Sequence, residues 1–154
     1  MMEELLKQAK LKALRLLTDM DRTEEELRTK LKQKGYSEEI VEQAIDYVKS
    51  FGYVNDENYA RKYVESKKSH KSRKELYVAL LQKGLERDVV ESALQENYEE
   101  DEESRAISLL AEKKHFSPED STEDEKKKLM AYFLRRGFRY EHVRKVLEVS
   151  SWNA

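Results

Sequence analysis

The sequence predicts an all-α protein made of three tandem three-helix repeats in an elongated, curved arrangement. Of its 154 residues 40% are charged, mostly the helix formers Glu, Lys and Arg. Four Gly and one Pro are too few for the many tight turns of a β-barrel or a β-sandwich. Apolar residues recur at steps of three and four along almost the whole chain, as they do on one face of a helix.

Hydroxyl residues mark the predicted helix starts. Thr23, Ser72 and Thr122 are each followed three residues later by Glu. In this capping-box pattern the hydroxyl and the carboxylate each accept a hydrogen bond from the other residue's backbone N–H. Ser117 followed by Pro118 fits a further helix start, because proline is tolerated at the first helical position. Residues 115–122 are also predicted to form a polar loop around Pro118.

Glycines mark the predicted helix ends. Gly35, Gly84 and Gly137 each follow Lys or Arg and precede an apolar residue. Glycine readily takes the left-handed conformation that ends a helix, and the apolar residue after it packs back onto the last turn. Each of these turns is therefore predicted to separate two helices.

The three glycine turns are spaced by 49 and 53 residues and reveal an internal repeat. Shifting the chain by these intervals places apolar residues on apolar residues in every helix pair. A further amphipathic segment precedes each pair, so nine helices are predicted. We expect repeats at residues 1–52, 53–99 and 100–154, each burying its apolar face against the next. The tail after Val149 is expected to fray, with Trp152 as a candidate for docking.

Several function classes lack the residues that they need. Cysteine is absent, which removes disulfides, thiolate metal sites and cysteine nucleophiles. The three histidines do not have zinc-site spacing, and neither a phosphate-binding glycine loop nor a nucleophile elbow occurs. We therefore expect no enzyme, no metal and no cofactor. Without a membrane-length apolar run or a signal-peptide core, we expect a cytoplasmic protein that does not bind membranes.

Charge placement is the positive signal. Residues 61–74 contain seven basic residues and one acid at a predicted helix–helix turn, and a second basic set surrounds Gly137. Such clusters either complement helix dipoles and keep a helix face solvated, or bind phosphates or an acidic protein surface. The candidate contact residues are Arg61, Lys62, Lys67, Lys68, Lys71, Arg73, Lys74, Arg135, Arg136, Arg139, Arg144 and Lys145.

Four segments together resemble the RecX family over residues 9–149. Residues 52–60, Gly-Tyr-Val-Asn-Asp-Glu-Asn-Tyr-Ala, resemble the family's link between the first and second repeats. Residues 80–85 and 133–138 look like its helix-ending Lys/Arg-Gly signatures, and residues 23–35 are similar to its opening repeat. One departure is Ser69-His70-Lys71-Ser72-Arg73, where the family often has Gly before the basic residue.

The resemblance implies a regulator of the RecA recombinase that acts in DNA repair, homologous recombination and the SOS response. Proteins of this family consist of three tandem three-helix repeats. They bind in the groove of the RecA filament on DNA, inhibit its ATPase and strand exchange, and favour filament disassembly or block extension. The implied partners are the RecA filament and single- or double-stranded DNA. We expect a monomer.

A helical nucleic-acid-binding protein that acts without RecA is the alternative. The short turn at Gly35 fits a helix-turn-helix DNA reader. However, the predicted helices at 38–50 and 87–98 are acidic, and only the helix at 140–148 is not, since it has two basic and two acidic residues. An acidic helix is repelled by the phosphates that flank the major groove, so sequence-specific DNA reading is disfavoured.

Overall fold

The structure is a computed structural model that describes residues 1–149, and the predicted docking of Trp152 lies outside them. Within these residues the chain forms nine α-helices and no β-strand, which confirms the all-α prediction. The helices are α1 (Met2–Asp19), α2 (Glu24–Gln33), α3 (Glu38–Ser50), α4 (Asp56–Lys67), α5 (Arg73–Gln82), α6 (Arg87–Asn97), α7 (Glu102–Lys113), α8 (Glu123–Arg135) and α9 (Tyr140–Leu147). The elongated, curved arrangement and the repeat boundaries stay predictions.

The chain divides into two compact units. The first takes in Met1–Lys62 and Leu80–Val90, and the second takes in Tyr63–Ala79 and the chain from Glu91 onward. Helices α1, α2 and α3 belong wholly to the first unit, and α7, α8 and α9 wholly to the second. Among residues 1–149 no helix is both long and apolar enough to cross a membrane.

The core of the first unit lies where α1 and α2 pack against α3. Ala9 and Ala13 are fully buried on α1, and these small side chains leave room for close helix approach. Leu27 on α2 and Ile45 on α3 are also fully buried. Since all four are apolar residues at helical spacing, the core follows from the pattern in the sequence.

The core of the second unit lies where α7 and α8 pack against α9. Phe133 on α8 is fully buried, and its ring meets that of Phe138 edge to face at 5.5 Å. Phe138 directly follows Gly137, and its N–H donates to the carbonyl of Phe133 at 3.1 Å. The predicted packing of the post-glycine residue onto the last helical turn is therefore confirmed here.

The local helix signals are confirmed with one exception. Capping boxes form at Thr23, Ser72 and Thr122. The start predicted at Ser117 is wrong: the Ser117 carbonyl accepts hydrogen bonds from Asp120 and Ser121 in a closed turn, and α8 begins only at Glu123. The capping box at Thr122 satisfies the free N–H groups of the first helical turn, and the Ser-Pro pair offers no such box.

Candidate functional site

The most basic segment of the chain is the connection from α4 to α5 in the second unit. We call residues 67–74 the basic loop. Lys74 is exposed, whereas Lys67, Lys68, Lys71 and Arg73 are partly exposed. Lys67 ends α4, and Arg73 begins α5, so the loop joins the two helices within a few residues.

Ser72 fixes the end of the loop. Its hydroxyl accepts a hydrogen bond from the Glu75 N–H at 3.0 Å, and the Glu75 carboxylate accepts one from the Ser72 N–H at 2.9 Å. The same hydroxyl donates to the backbone carbonyl of Arg136 at 2.9 Å. Ser72 is fully buried, so its hydroxyl connects the start of α5 to the end of α8 out of contact with water.

Arg136 fixes the loop from the other side. Its guanidinium donates to both carboxylate oxygens of Glu75, at 3.0 and 3.1 Å, and to the carbonyl of His70 at 2.8 Å. Burial opposes ionisation of Glu75, but its bonds from Arg136 and Ser72 outweigh burial and hold the pKa of that carboxyl below its usual value. The charge of Arg136 is therefore used inside the protein.

Two further anchors hold the middle of the loop. The hydroxyl of Tyr98 donates to the Lys71 carbonyl at 2.9 Å, and only 7% of Tyr98 is exposed. The ammonium of Lys68 lies 3.2 Å from the Asn97 carbonyl and 3.2 Å from the carboxylate of the buried Glu102. The backbone of the loop is therefore held in one conformation by side chains and carbonyls of its own unit.

Four cations of the loop keep their charge available. Within residues 1–149 no ion pair involves Lys67, Lys71, Arg73 or Lys74. Lys67 lies 5.5 Å from the centre of the Tyr63 ring, a contact that leaves its charge unneutralised. An anchored backbone thus carries several positive charges without an ion-pair partner, an arrangement that favours binding of phosphates or carboxylates at low entropic cost.

The lowered pKa of His70 reflects its burial and the positive charges around the loop. Burial lowers the pKa of the His70 imidazole, and the positive charges of Lys71, Lys67, Lys113 and Arg136 lower it further. Lys113, at the end of α7, was not among the residues that the sequence proposed. It lies more than 35 positions away along the chain, so no local charge run could identify it.

The other candidate cations lie outside the basic loop, where fewer positive charges are close together. Lys62 lies 3.6 Å from Asp21, and Arg61 donates to Asn58, both in the first unit. In the second unit the Arg139 side chain is 63% exposed, and its guanidinium lies 4.0 Å from the carboxylate of Glu103. The remaining candidates are exposed on or beside α8 and α9, and they are Arg135, Arg144 and Lys145.

The chain matches family models along most of its length. Residues 9–47, 55–94 and 100–147 match the models of the first, second and third three-helix domains of RecX. The match is therefore not confined to one repeat, and the order of the three domains is the family's own.

Curated proteins and solved structures agree with these matches. The chain is 39% identical over 145 residues to "Regulatory protein RecX" of Caldanaerobacter subterraneus, covering 94% of this chain and 71% of that protein. It is 34% identical over 130 residues to the protein of the same name from Clostridium botulinum, covering 82% of this chain and 61% of that one. The crystal structure of RecX from Lactobacillus salivarius superimposes with a TM-score of 0.81 at 26% identity, covering 93% and 94% of the two chains. The chain therefore belongs to the RecX family of regulatory proteins.

Proposed function

We propose that the chain regulates the RecA recombinase by binding the RecA–DNA filament, and that it mainly inhibits ATP hydrolysis and strand exchange. Its membership of the RecX family supports a regulatory role. The observation that carries the proposal is the anchored basic loop with the unpaired cations Lys67, Lys71, Arg73 and Lys74. The chain acts by binding and performs no chemical step of its own.

Anchoring makes the loop an effective binder. A flexible lysine-rich segment loses conformational freedom when it binds, and this loss offsets much of its electrostatic attraction. Here Ser72, Arg136 and Tyr98 already hold the backbone in place. Binding then releases counterions from phosphates or neutralises acidic side chains of a filament without first ordering the loop.

The alternative is that the chain binds DNA and acts without RecA. The same cations support it, because phosphate oxygens and protein carboxylates are both recognised by lysine and arginine. The two proposals differ in what removes the effect. A DNA competitor loses its effect when DNA is in excess, whereas a ligand of the filament does not.

The experiment measures ATP hydrolysis by RecA on single-stranded DNA as the protein is added, first at limiting and then at saturating DNA. Inhibition that persists at saturating DNA is the expected result and supports contact with the filament. Inhibition that disappears with excess DNA supports the alternative. No change in hydrolysis or in strand exchange at either DNA concentration contradicts both.

A further inference from the structure

One contact occurs twice inside this chain, once in each unit. In the first unit the hydroxyl of Thr23, the residue that caps the start of α2, donates to the carbonyl of Lys83 at 2.6 Å. In the second unit Ser72 caps the start of α5 and donates to the carbonyl of Arg136 at 2.9 Å. We call this contact the joint, because it connects the capped start of one middle helix to the end of the next.

Glycine makes the joint possible. Lys83 and Arg136 are each followed by a glycine with positive φ, +87° at Gly84 and +93° at Gly137. A Cβ on Gly84 would lie 2.4 Å from the Cβ of Glu25, and one on Gly137 would lie 3.0 Å from the Cβ of Lys74. The glycine thus leaves the space that the capped helix end occupies.

An ion pair completes the joint on both occasions. Glu26 lies 3.7 Å from the ammonium of Lys83, and Glu75 lies 3.0 Å from the guanidinium of Arg136. Both joints therefore have the same parts. One half is a capping box with its Glu, and the other is a basic residue followed by glycine.

The chain carries one more copy of each half, and both are exposed. Thr122 caps α8, and residues 122–125 read Thr-Glu-Asp-Glu, close to the Thr-Glu-Glu-Glu of residues 23–26. Lys34 and Gly35 repeat the Lys-Gly pair of the first joint, with φ +94° at the glycine. A Cβ on Gly35 would meet no atom within 4 Å, so the place that Glu25 fills beside Gly84 is open at this turn.

The capping box at Thr122, which has no partner turn within residues 1–149, differs from the two boxes that form joints in its burial and in the acceptor of its hydroxyl. Thr23 and Ser72 are fully buried and donate their hydroxyl hydrogen to the partner carbonyl. Thr122 is exposed, and its hydroxyl donates to the carboxylate of its own Glu125 at 3.0 Å instead of to the carbonyl of another helix end. Pairing of Glu125 with a cation would let that hydrogen turn to a carbonyl that approaches the start of α8.

We propose that two copies of this chain associate head to tail, with the Lys34–Gly35 turn of one copy seated on the Thr122 end of α8 in the other. The Thr122 hydroxyl donates to the Lys34 carbonyl, and the Lys34 ammonium pairs with Glu125. Charge complementarity and the two internal joints select a second copy as the occupant. Because each copy supplies a different half, the contact is heterologous and can add further copies.

The association depends on protein concentration and is weak, so the expected monomer is the form present at low concentration. A single joint brings one neutral hydrogen bond, one exposed ion pair and a small contact area, each of which contributes little to affinity. It therefore becomes significant at high concentration or where copies are held side by side.

Sedimentation equilibrium over a wide concentration range tests the proposal, with Gly35→Asn against Gly52→Asn as the matched pair. Both glycines are exposed, have positive φ and have open space at the Cβ, and asparagine tolerates this conformation. Gly35→Asn should weaken association about tenfold or more, because its side chain fills the open space beside the turn that the other copy should occupy. Gly52→Asn, away from the joint, should associate like the wild type.

A variant of the other half provides a second test. Glu125→Gln preserves the capping-box pattern and removes the charge that Lys34 should meet, so it should also weaken association. A wild type that remains monomeric at every concentration overturns the proposal, and so does equal association of the Gly35→Asn and Gly52→Asn variants.

Crosslinking provides a site-specific measurement. Gln33 is exposed directly before the turn and takes no part in the proposed contact. Since the chain has no cysteine, a short bismaleimide can link a Gln33→Cys copy and an Asp124→Cys copy only to each other or to copies of the same variant. The mixed pair should form faster than either like pair, and adding Gly35→Asn should abolish the difference. Equal rates for mixed and like pairs contradict the joint.

Discussion

At the scale of single residues, the second unit contains a buried carboxylate whose role can be measured. Glu103 is 2% exposed, and its carboxylate accepts a hydrogen bond from the backbone N–H of Arg139 at 2.8 Å, directly before α9. We expect Glu103→Ala to lower the free energy of unfolding by about 1–3 kcal/mol, because the N–H loses its partner in a partly buried place. Urea unfolding followed by circular dichroism measures the change.

The exposed residue Glu100 gives the control for this prediction. Glu100→Ala removes the same charge close by in the chain and should change the unfolding free energy by less than about 0.5 kcal/mol. Equal effects of the two substitutions would show that the Glu103 bond contributes nothing specific.

His70 reports on anion binding at the basic loop. Burial and the cations Lys71, Lys67, Lys113 and Arg136 hold its pKa below the usual histidine value. Phosphates bound at the loop neutralise these cations, so the His70 pKa should rise when a single-stranded oligonucleotide binds. Binding then takes up protons, so affinity should increase as the pH falls through the pKa of the complex, and the gain should be complete below the pKa of the free protein.

Titration of the imidazole signals by NMR, with and without the oligonucleotide, checks this prediction. The exposed His115 ring, at the end of α7, serves as the reference signal. An unchanged His70 titration in a saturated complex would show that the oligonucleotide binds elsewhere.

Residue types predicted that the loop is basic, but they did not predict which of its cations lack an ion-pair partner. Lys68 and Arg136 have the composition of surface cations, yet they bind Glu102 and Glu75 together with backbone carbonyls. Their carbonyl partners, Asn97 and His70, carry no side-chain signal for this role, because every residue has a carbonyl. Only the folded chain separates these anchors from the unpaired cations.

At the scale of elements, two glycine turns allow the cost of backbone strain to be measured apart from the cost of a steric clash. Gly35 and Gly84 have nearly the same φ, +94° and +87°, but only at Gly84 would a Cβ collide, with Glu25 at 2.4 Å. We expect Gly35→Ala to lower the unfolding free energy by about 1–2 kcal/mol from the left-handed conformation alone. Gly84→Ala should cost about 1–3 kcal/mol more, because it also forces α2 and the turn apart.

Parallel urea unfolding of the two variants measures this difference. An equal loss of stability at both positions would mean that Glu25 and the turn can move apart at Gly84 without lowering the free energy of unfolding. In that case the close approach of Glu25 to the turn would not contribute to the stability of the first unit.

Element boundaries follow from the sequence because caps are local. Thr23 and Thr122 meet a Glu three residues away, and Phe138 meets Phe133 five residues away, all within reach of a pattern. The joint between Thr23 and Lys83 spans 60 residues and ends on a carbonyl, so no pattern of side chains indicated it. The sequence therefore predicted that these hydroxyls cap helix starts, but it did not predict that they also connect one helix to another.

At the scale of the whole molecule, the proposed function depends on where the charges lie. Formal net charge is only -2, so total charge does not attract the chain to an anionic filament. The basic loop provides a strong local positive potential, because its unpaired cations are held together by an anchored backbone. Regulation by the whole chain is thus proposed to depend on a few exposed side chains rather than on overall composition.

Charge reversal at the basic loop with a matched control elsewhere tests this claim most directly. The loop variant combines Lys67→Glu, Lys71→Glu and Lys74→Glu, and it leaves the anchors in place. Glu is tolerated beside the glycine of a joint, because Glu25 occupies the place in the first joint that Lys74 has in the second. The control reverses Lys7, Lys12 and Arg15 on α1 and changes net charge equally.

The measurement is inhibition of RecA ATP hydrolysis at saturating single-stranded DNA, repeated over a range of salt concentrations. The loop variant should need at least about tenfold more protein for the same inhibition and show a weaker salt dependence, because fewer counterions are released. The α1 control should inhibit like the wild type. Equal inhibition by both folded variants would contradict the account.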